Sequence, residues 1–365
     1  FYTRTGWPEL KTPVPFGEML PLYGDYADGF WERSLKETAG NYYKAFNFKA
    51  FRSSTAIATE QLGKQEAKIN KGDEAYPYFT CELGGGMMTS YHRRPYIYPE
   101  DAYSLAIIKL GSGSNLLGYY MYHGGTNPSA MMSGNLDDGS AVYLNENQRT
   151  QATNYNDMPV KTYDFQAPLG EFGQKNPHYF MLRKLHLFMH DYAEVLAPME
   201  SSFPCRQDIE KGDDSHLRWS LRSKDKSGFV FINNYERLQQ LSAKKNVQFE
   251  VCGVKFPQRP MTVPAGAMCI FPVNIDGIRY ATAQLIAKRD GKIYLEQIKG
   301  IPTEIAVDGK VLKNVKAKGI AKPVYKNIYL VDSKTAEHLF LQKEGKSVEQ
   351  KNGSVKSQTS KSKKM

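Results

Sequence analysis

The chain has little of what cofactor and metal sites are built from: 4 cysteines, 7 histidines and 3 tryptophans in 365 residues. Cys81, Cys205, Cys252 and Cys269 form no C-x-x-C pair and keep no regular spacing, which argues against a zinc cluster or a dithiol redox centre. Cys252 and Cys269 each sit in an apolar run and read as buried free thiols, with a bridge between them as the alternative in an exported protein. His178, His186 and His190 fall close together without carboxylates at ligand spacing, so they read as surface or partly packed side chains. No metal and no cofactor is expected. No stretch approaches about 18 consecutive apolar residues, which excludes a membrane-inserted helix. Acidic residues are in deficit, 38 against 48 Lys and Arg, for a formal charge of +10. Half of that excess is a tail effect, since 6 lysines and 1 glutamate lie between Lys346 and Met365. A nucleic-acid partner needs basic residues clustered on a folded face, so none is expected.

What the chain does have is rings, 24 Tyr and 18 Phe, and a clear change of pattern near residue 200. Before it, short apolar runs alternate with helical patterns, the signature of βα units around a parallel sheet. Phe1 to Thr5, Met19 to Tyr23, Tyr76 to Cys81 and Leu116 to Tyr122 read as strands. They run into Gly6-Trp7, Gly24-Asp25-Tyr26, Gly84-Gly85-Gly86 and Gly124-Gly125-Thr126-Asn127. Functional side chains gather at such C-terminal strand ends. The first residues, Phe1 to Pro8, read as the inside of a strand and its loop. Helices are predicted from Pro99 to Gly111, with Glu100 and Asp101 in the first turn, and from Pro177 through Leu182, Leu185, Phe188 and Met189.

Beyond about Glu200, period-two alternation predicts an all-β, sandwich-like module. Its strands read as Gly228 to Ile232, Val247 to Val254, Met268 to Val273 and Tyr280 to Ala287, with Asp290-Gly291 and Asp308-Gly309 as hairpin turns. From Lys343 the chain lacks the apolar surface to order itself. The expected division is thus 1–198, 199–342 and a basic tail, 343–365.

The strongest chemical signal is Pro77-Tyr78-Phe79-Thr80-Cys81-Glu82-Leu83-Gly84-Gly85-Gly86, a strand that ends in a carboxylate. Burying an acid is costly unless it is paired or used. The glycines are read as clearing space for a substrate ring beside Glu82. A glycosidase nucleophile needs an ionised carboxylate on a rigid strand; a structural ion pair is the competing reading. A second signal, Tyr119-Tyr120-Met121-Tyr122-His123-Gly124-Gly125-Thr126-Asn127, puts rings and an amide at a strand exit, as sugar pockets do. Neither glycine cluster is followed by Lys-Ser or Lys-Thr, so neither is a phosphate loop. A third segment, Lys161 to Gly173, mixes Asp164 and Glu171 with Tyr163 and Phe165.

Together these segments resemble glycoside hydrolase family 35. The family's nucleophile glutamate corresponds to Glu82. Its strand-eight Tyr-Met-aromatic-x-Gly-Gly-Thr-Asn motif corresponds to Tyr120 through Asn127, and its Tyr-Asp-Tyr-Asp-Ala-Pro-Leu motif to Tyr163 through Leu169. Phe165 stands where the family's second tyrosine would supply a hydroxyl, and glycines follow Glu82 where many members carry Tyr and Trp rings.

The resemblance implies an α/β fold, a partial (β/α)8 barrel comprising strands five to eight, followed by a small β domain. It implies a retaining β-galactosidase acting on β-galactoside oligo- or polysaccharides by double displacement, with Tyr120, Asn127, Tyr163, Asp164 and Phe165 at the sugar. Arg93, Arg94 and Tyr163 are candidates for orienting Glu82 or the sugar. The family's acid/base glutamate sits in an Asn-Glu-Tyr/Phe-Gly context that this chain lacks. Its Asn145-Glu146 pair lies in a polar run, so the general acid is expected upstream and the isolated chain is expected to be inactive. The alternatives are an exo-β-glucosaminidase-like enzyme, with Asp164 near C2, and a non-catalytic carbohydrate-binding remnant. The compartment is open, with export, periplasmic or extracellular, the expectation.

Overall fold

Three apolar runs pair side by side in the same direction: β1 (Tyr2–Thr5), β2 (Met19–Asp25) and β3 (Thr80–Leu83). A computed structural model describes residues 2–5, 19–29, 42–52, 54, 76–90, 93–127, 159, 161–204, 206–343 and 353–357. Gly6-Trp7, Glu146 and Cys205 lie outside the described residues. The chain forms two compact units. The first holds residues up to 46, 51–106 and 116–179, and the second holds 47–50, 107–115 and 180 onward.

In the first unit the parallel order is β1-β2-β3, with Tyr2 opposite Met19 and Tyr23 opposite Thr80. Leu116 to Tyr120 continues it through parallel bridges, Phe79 to Leu116 and Leu83 to Tyr119. The expected strand from Leu116 to Tyr122 is thus two bridges rather than a continuous ladder. Backbone bonds still join the two segments, Thr80 N to Leu116 O, Gly118 N to Thr80 O, Leu83 N to Gly118 O and Tyr120 N to Leu83 O, each at 3.0 Å, and the Thr80 hydroxyl also accepts from Gly118 N at 3.0 Å. Gly118 also lies so close to the neighbouring strand that a β-carbon there would stand 2.5 Å from Thr80 O.

The helix Pro99–Gly111 enters through a proline in its first turn, with Asp101 accepting from Tyr98 N at 2.9 Å. Its apolar residues Leu105, Ile107, Ile108 and Leu110 are all buried.

The second unit contains a seven-stranded antiparallel sheet. Its strands are β6 (Glu200–Ser202), β7 (Arg218–Lys224), β8 (Ser227–Asn233), β11 (Met268–Ile275), β12 (Ile278–Ala281), β15 (Ile305–Val307) and β16 (Lys310–Leu312), in the order β16-β15-β12-β11-β8-β7-β6. One face packs against the hairpin of β9 (Lys244–Val251) and β10 (Val254–Val263), with Val230, Ile232, Phe249, Phe256, Cys269 and Phe271 in the shared core. The other face meets the helix Pro177–Leu196, whose Phe188 and Tyr192 stand 5.2 and 6.1 Å from Phe229. From Phe180 onward this helix belongs to the β-rich unit, whereas the sequence pattern grouped it with the segment before it. Lys184 adds a buried ion pair to Glu296 at 2.8 Å.

Two strand expectations are corrected. The run Val247 to Val254 is broken by a tight turn, because Cys252 and Gly253 both take positive φ, 53° and 70°, and reverse the chain into β10. Tyr280 to Ala287 divides at Thr282-Ala283. β12 stays in the large sheet, while β13 (Gln284–Arg289) joins β14 (Lys292–Gln297) and β17 (Ile328–Asp332). The Thr282 hydroxyl donates to Pro302 O at 2.7 Å at that break. Cys252 and Cys269 are both free thiols, so the bridge is absent. Within the expected tail, Gly353–Ser357 pairs antiparallel with Leu339–Lys343. Backbone pairing to an open edge needs little apolar surface, which is how part of so polar a segment forms a strand.

Arg222 is a large polar commitment of this unit. Its guanidinium donates to Leu110 O (3.3 Å), Ser114 O (3.0 Å), Asn115 Oδ1 (2.6 Å), Leu196 O (2.8 Å) and Met199 O (3.2 Å). These are the orphan acceptors at and just beyond the C-terminal turns of both long helices, where a cation is favoured. The side chain is 1% exposed.

Candidate active site

Glu82 is carried near the carboxyl end of β3, half-buried, and takes a hydrogen bond from the Tyr26 hydroxyl to Oε2 at 3.1 Å. Among the described residues Oε1 accepts no hydrogen bond. Burial raises the Glu82 carboxyl above the usual carboxylate range, and the Tyr26 hydroxyl acts in the opposite direction. Burial, then the neighbouring Glu82, hold the Tyr26 phenol protonated, well above its ordinary value. The adjacent Cys81 thiol is pushed up to about 12 by burial and then by Glu82, which leaves it protonated and without nucleophilic character at neutral pH.

Tyr26 was not singled out in the sequence. It directly follows β2, in the Gly24-Asp25-Tyr26 exit, so the rule that functional groups gather at strand ends points to it. Its delivery depends on Gly84: a β-carbon there would lie 2.8 Å from the Tyr26 ring.

The next two glycines do not open space for a substrate ring, contrary to the sequence reading. A β-carbon on Gly85 would stand 2.3 Å from Met121 O, and one on Gly86 would stand 2.1 Å from Phe165 O. They let three loops touch main chain to main chain. Gln166 completes this frame, donating through Nε2 to Met87 O (2.9 Å) and Pro95 O (2.7 Å) and accepting from Ile97 N (3.1 Å). The buried His178 donates through Nε2 to Gln166 O at 3.0 Å. Its pKa lies below the usual imidazole range, chiefly through burial.

Tyr120 and Tyr163 join through their hydroxyls, and both rings flank Phe165, each with its centroid 5.2 Å away. Phe165 itself is 3% exposed and packs with Tyr26, Met87 and Ile97, so its ring is part of the support beneath the two phenols. The peptide bond Tyr120–Met121 is cis. Asp164 turns inward onto its own loop, accepting from Glu171 N (2.6 Å) and Gln166 N (3.1 Å). Asn127 ends the short ladder of β4 (Gly125–Thr126) and β5 (Thr162–Tyr163), its N–H donating to Lys161 O at 2.7 Å. Glu171 receives the hydroxyls of Thr126 and Thr162, which hold its carboxyl below the usual range. The Arg93 guanidinium pairs with the buried Asp28 at 2.9 Å. Arg94 is exposed. Glu82, Tyr120, Tyr163 and Phe165 are thus linked through Tyr26 and one packed cluster, while Asp164 and Asn127 organise the ladder and loop beside it.

The role of Tyr26 makes one expected result specific. In an active enzyme, Tyr26→Phe removes a hydrogen bond to the charged form of Glu82, so the Glu82 pKa rises further. A bond to a charged group is worth about 1.5–3 kcal/mol, or roughly one to two pH units. The acid limb of kcat/KM should move to higher pH by about that amount while thermal stability stays nearly constant. An unmoved limb would mean that Tyr26 does not act on the ionisation of Glu82.

The parallel sheet thus presents one half-buried carboxylate, Glu82, beside the Tyr26 phenol. Residues 21–189 match the family model of glycosyl hydrolases family 35, a β-galactosidase family. Comparison with curated proteins gives no match. That family is one of glycosidases, which act on carbohydrates.

Proposed function

We propose that this chain carries the nucleophile of a retaining β-galactosidase, and that the nucleophile is Glu82. The observation that carries this reading is the pairing of Glu82, on a parallel strand end, with a phenol that leaves Oε1 open among the described residues. In the proposed cycle Oε1 attacks the anomeric carbon as the bond to the aglycone oxygen breaks and that oxygen takes a proton from an acid partner. The same partner then removes a proton from water, which displaces Glu82 and restores the carboxylate. The two carboxyls would stand about 5–5.5 Å apart. The acid partner is assigned to the Asn-Glu-Tyr/Phe-Gly context that the family uses and that these 365 residues do not contain. The four parallel segments are then strands five to eight of a (β/α)8 barrel, and the chain alone is inactive.

Tyr120, Tyr163 and Asn127 are the proposed sugar contacts. Asp164 and Phe165 act behind them, since Asp164 is bonded to its own loop and Phe165 is buried. That use of Asp164 favours galactose over an aminosugar, which would want a carboxylate free at C2. The test is to treat the complete enzyme with 2-deoxy-2-fluoro-β-galactosyl fluoride and map the adduct by peptide mass. An adduct on Glu82 is expected; an adduct on another carboxylate would assign the nucleophile elsewhere.

A further inference from the structure

The β-rich unit has two clefts on its surface that the proposed chemistry does not use. One, of about 620 Å³, is lined by Lys299, Lys316 and Lys334 around Ile298, Ile301 and Pro302. The other, of about 630 Å³, is lined by Lys255, Arg259 and Lys313 with Gln248 and Gln258. Lys313 lines the second cleft, and Asn314, Val315 and Lys316, the next three residues, line the first, so a single short segment borders both.

That segment is held in place. Val315 N donates to Thr303 O at 3.0 Å, and Gln297 brackets the turn by donating to Val315 O (3.0 Å) and accepting from Ala317 N (3.4 Å). Gln258, opposite, donates its N–H to the Glu304 carboxylate at 2.7 Å.

The charge balance is one-sided. All six basic side chains are exposed. None makes a hydrogen bond, ion pair or ring contact among the described residues. The single carboxylate in either lining is Asp332, and it is already used, accepting from Thr335 N at 2.7 Å to cap the short helix Ser333–Glu337. Six cations against the single negative charge of Asp332 around two adjoining concavities make a positive potential that a linear polyanion would neutralise.

We propose that these clefts, together with the segment Lys313–Lys316, bind an acidic polysaccharide, a glycan chain bearing sulfate or carboxylate groups. The first cleft offers Ile298, Ile301 and Pro302 as an apolar floor for the C–H face of a sugar ring. No aromatic ring lines either cleft, so there is no platform on which nucleic-acid bases would stack. The choice of a glycan over other polyanions rests on the glycosidase reading of the first unit.

The full chain is assayed by affinity electrophoresis and calorimetry against carrageenan, polygalacturonate, neutral galactan and duplex DNA, at low and high salt. Tight binding is expected to carrageenan or polygalacturonate, weakening with salt, with neutral galactan at least 10-fold weaker. Preference for one of the two identifies the anionic group as sulfate or carboxylate. The triple variants Lys299→Gln/Lys316→Gln/Lys334→Gln and Lys255→Gln/Arg259→Gln/Lys313→Gln should each lose about 10-fold or more, with unchanged melting temperature. Unaltered binding by both variants, equal binding of neutral galactan, no binding, or preference for DNA would each overturn the proposal. Because binding is read without turnover, the result stands apart from whether Glu82 is the nucleophile.

Discussion

Replacing Glu82 by glutamine is expected to lower kcat of the complete enzyme on aryl β-galactosides by about 10⁴-fold or more, the scale on which loss of a covalent nucleophile acts. Glutamine keeps the shape of the side chain, and its carbonyl oxygen can still accept from the Tyr26 hydroxyl, so the fold and the surrounding rings should not move. What goes is the negative charge that attacks the anomeric carbon. The smaller variant Glu82→Gly should regain turnover when azide is supplied, with an α-configured galactosyl azide as product, because the anion attacks from the face that the carboxylate occupied. A residual rate of several per cent in Glu82→Gln, or rescue with a β-configured product, would sink the assignment.

The second large effect concerns stability rather than chemistry. Arg222→Met should destabilise the β-rich unit by about 3–5 kcal/mol, the usual scale for breaking a buried, hydrogen-bonded charge site. The methionine fills part of the volume but leaves Leu110 O, Ser114 O, Leu196 O and Met199 O without their shared donor. In a unit of this size that corresponds to a fall in melting temperature of roughly 10 °C. Arg222→Lys keeps the charge but cannot span five acceptors, so it should fall between the two. A loss under about 2 °C for Arg222→Met would show that water takes over the exposed carbonyls at little cost.

The sequence was informative wherever one local rule decided the outcome. Pro99 followed by Glu100 and Asp101 marked a helix start, and Pro99–Gly111 is helical. Asp290-Gly291 and Asp308-Gly309 marked hairpins, and both join paired strands. It was uninformative where two rules competed. Cys252 and Gly253 interrupt an apolar run with a turn that only backbone angles reveal.

The same division runs through the site. Glu82 was legible because a carboxylate in an apolar strand demands an explanation. Tyr26 was not, since its importance lies in a contact with a residue 56 positions away. Gly85 and Gly86 were visible as a cluster, but which atoms they approach is a tertiary fact: Met121 O for one, Phe165 O for the other.

That glycine contact has a consequence for how the site can change. The frame behind Glu82 is peptide against peptide, at Gly85 with Met121 and at Gly86 with Phe165 and Gln166. The ring at position 165 therefore hangs from a scaffold that its own side chain does not define. On the proposed function, exchanges of ring chemistry there, phenylalanine for tyrosine among them, would retune which sugars are accepted while the mounting of Glu82 is inherited unchanged. Preference can drift in such a design without first dismantling reactivity.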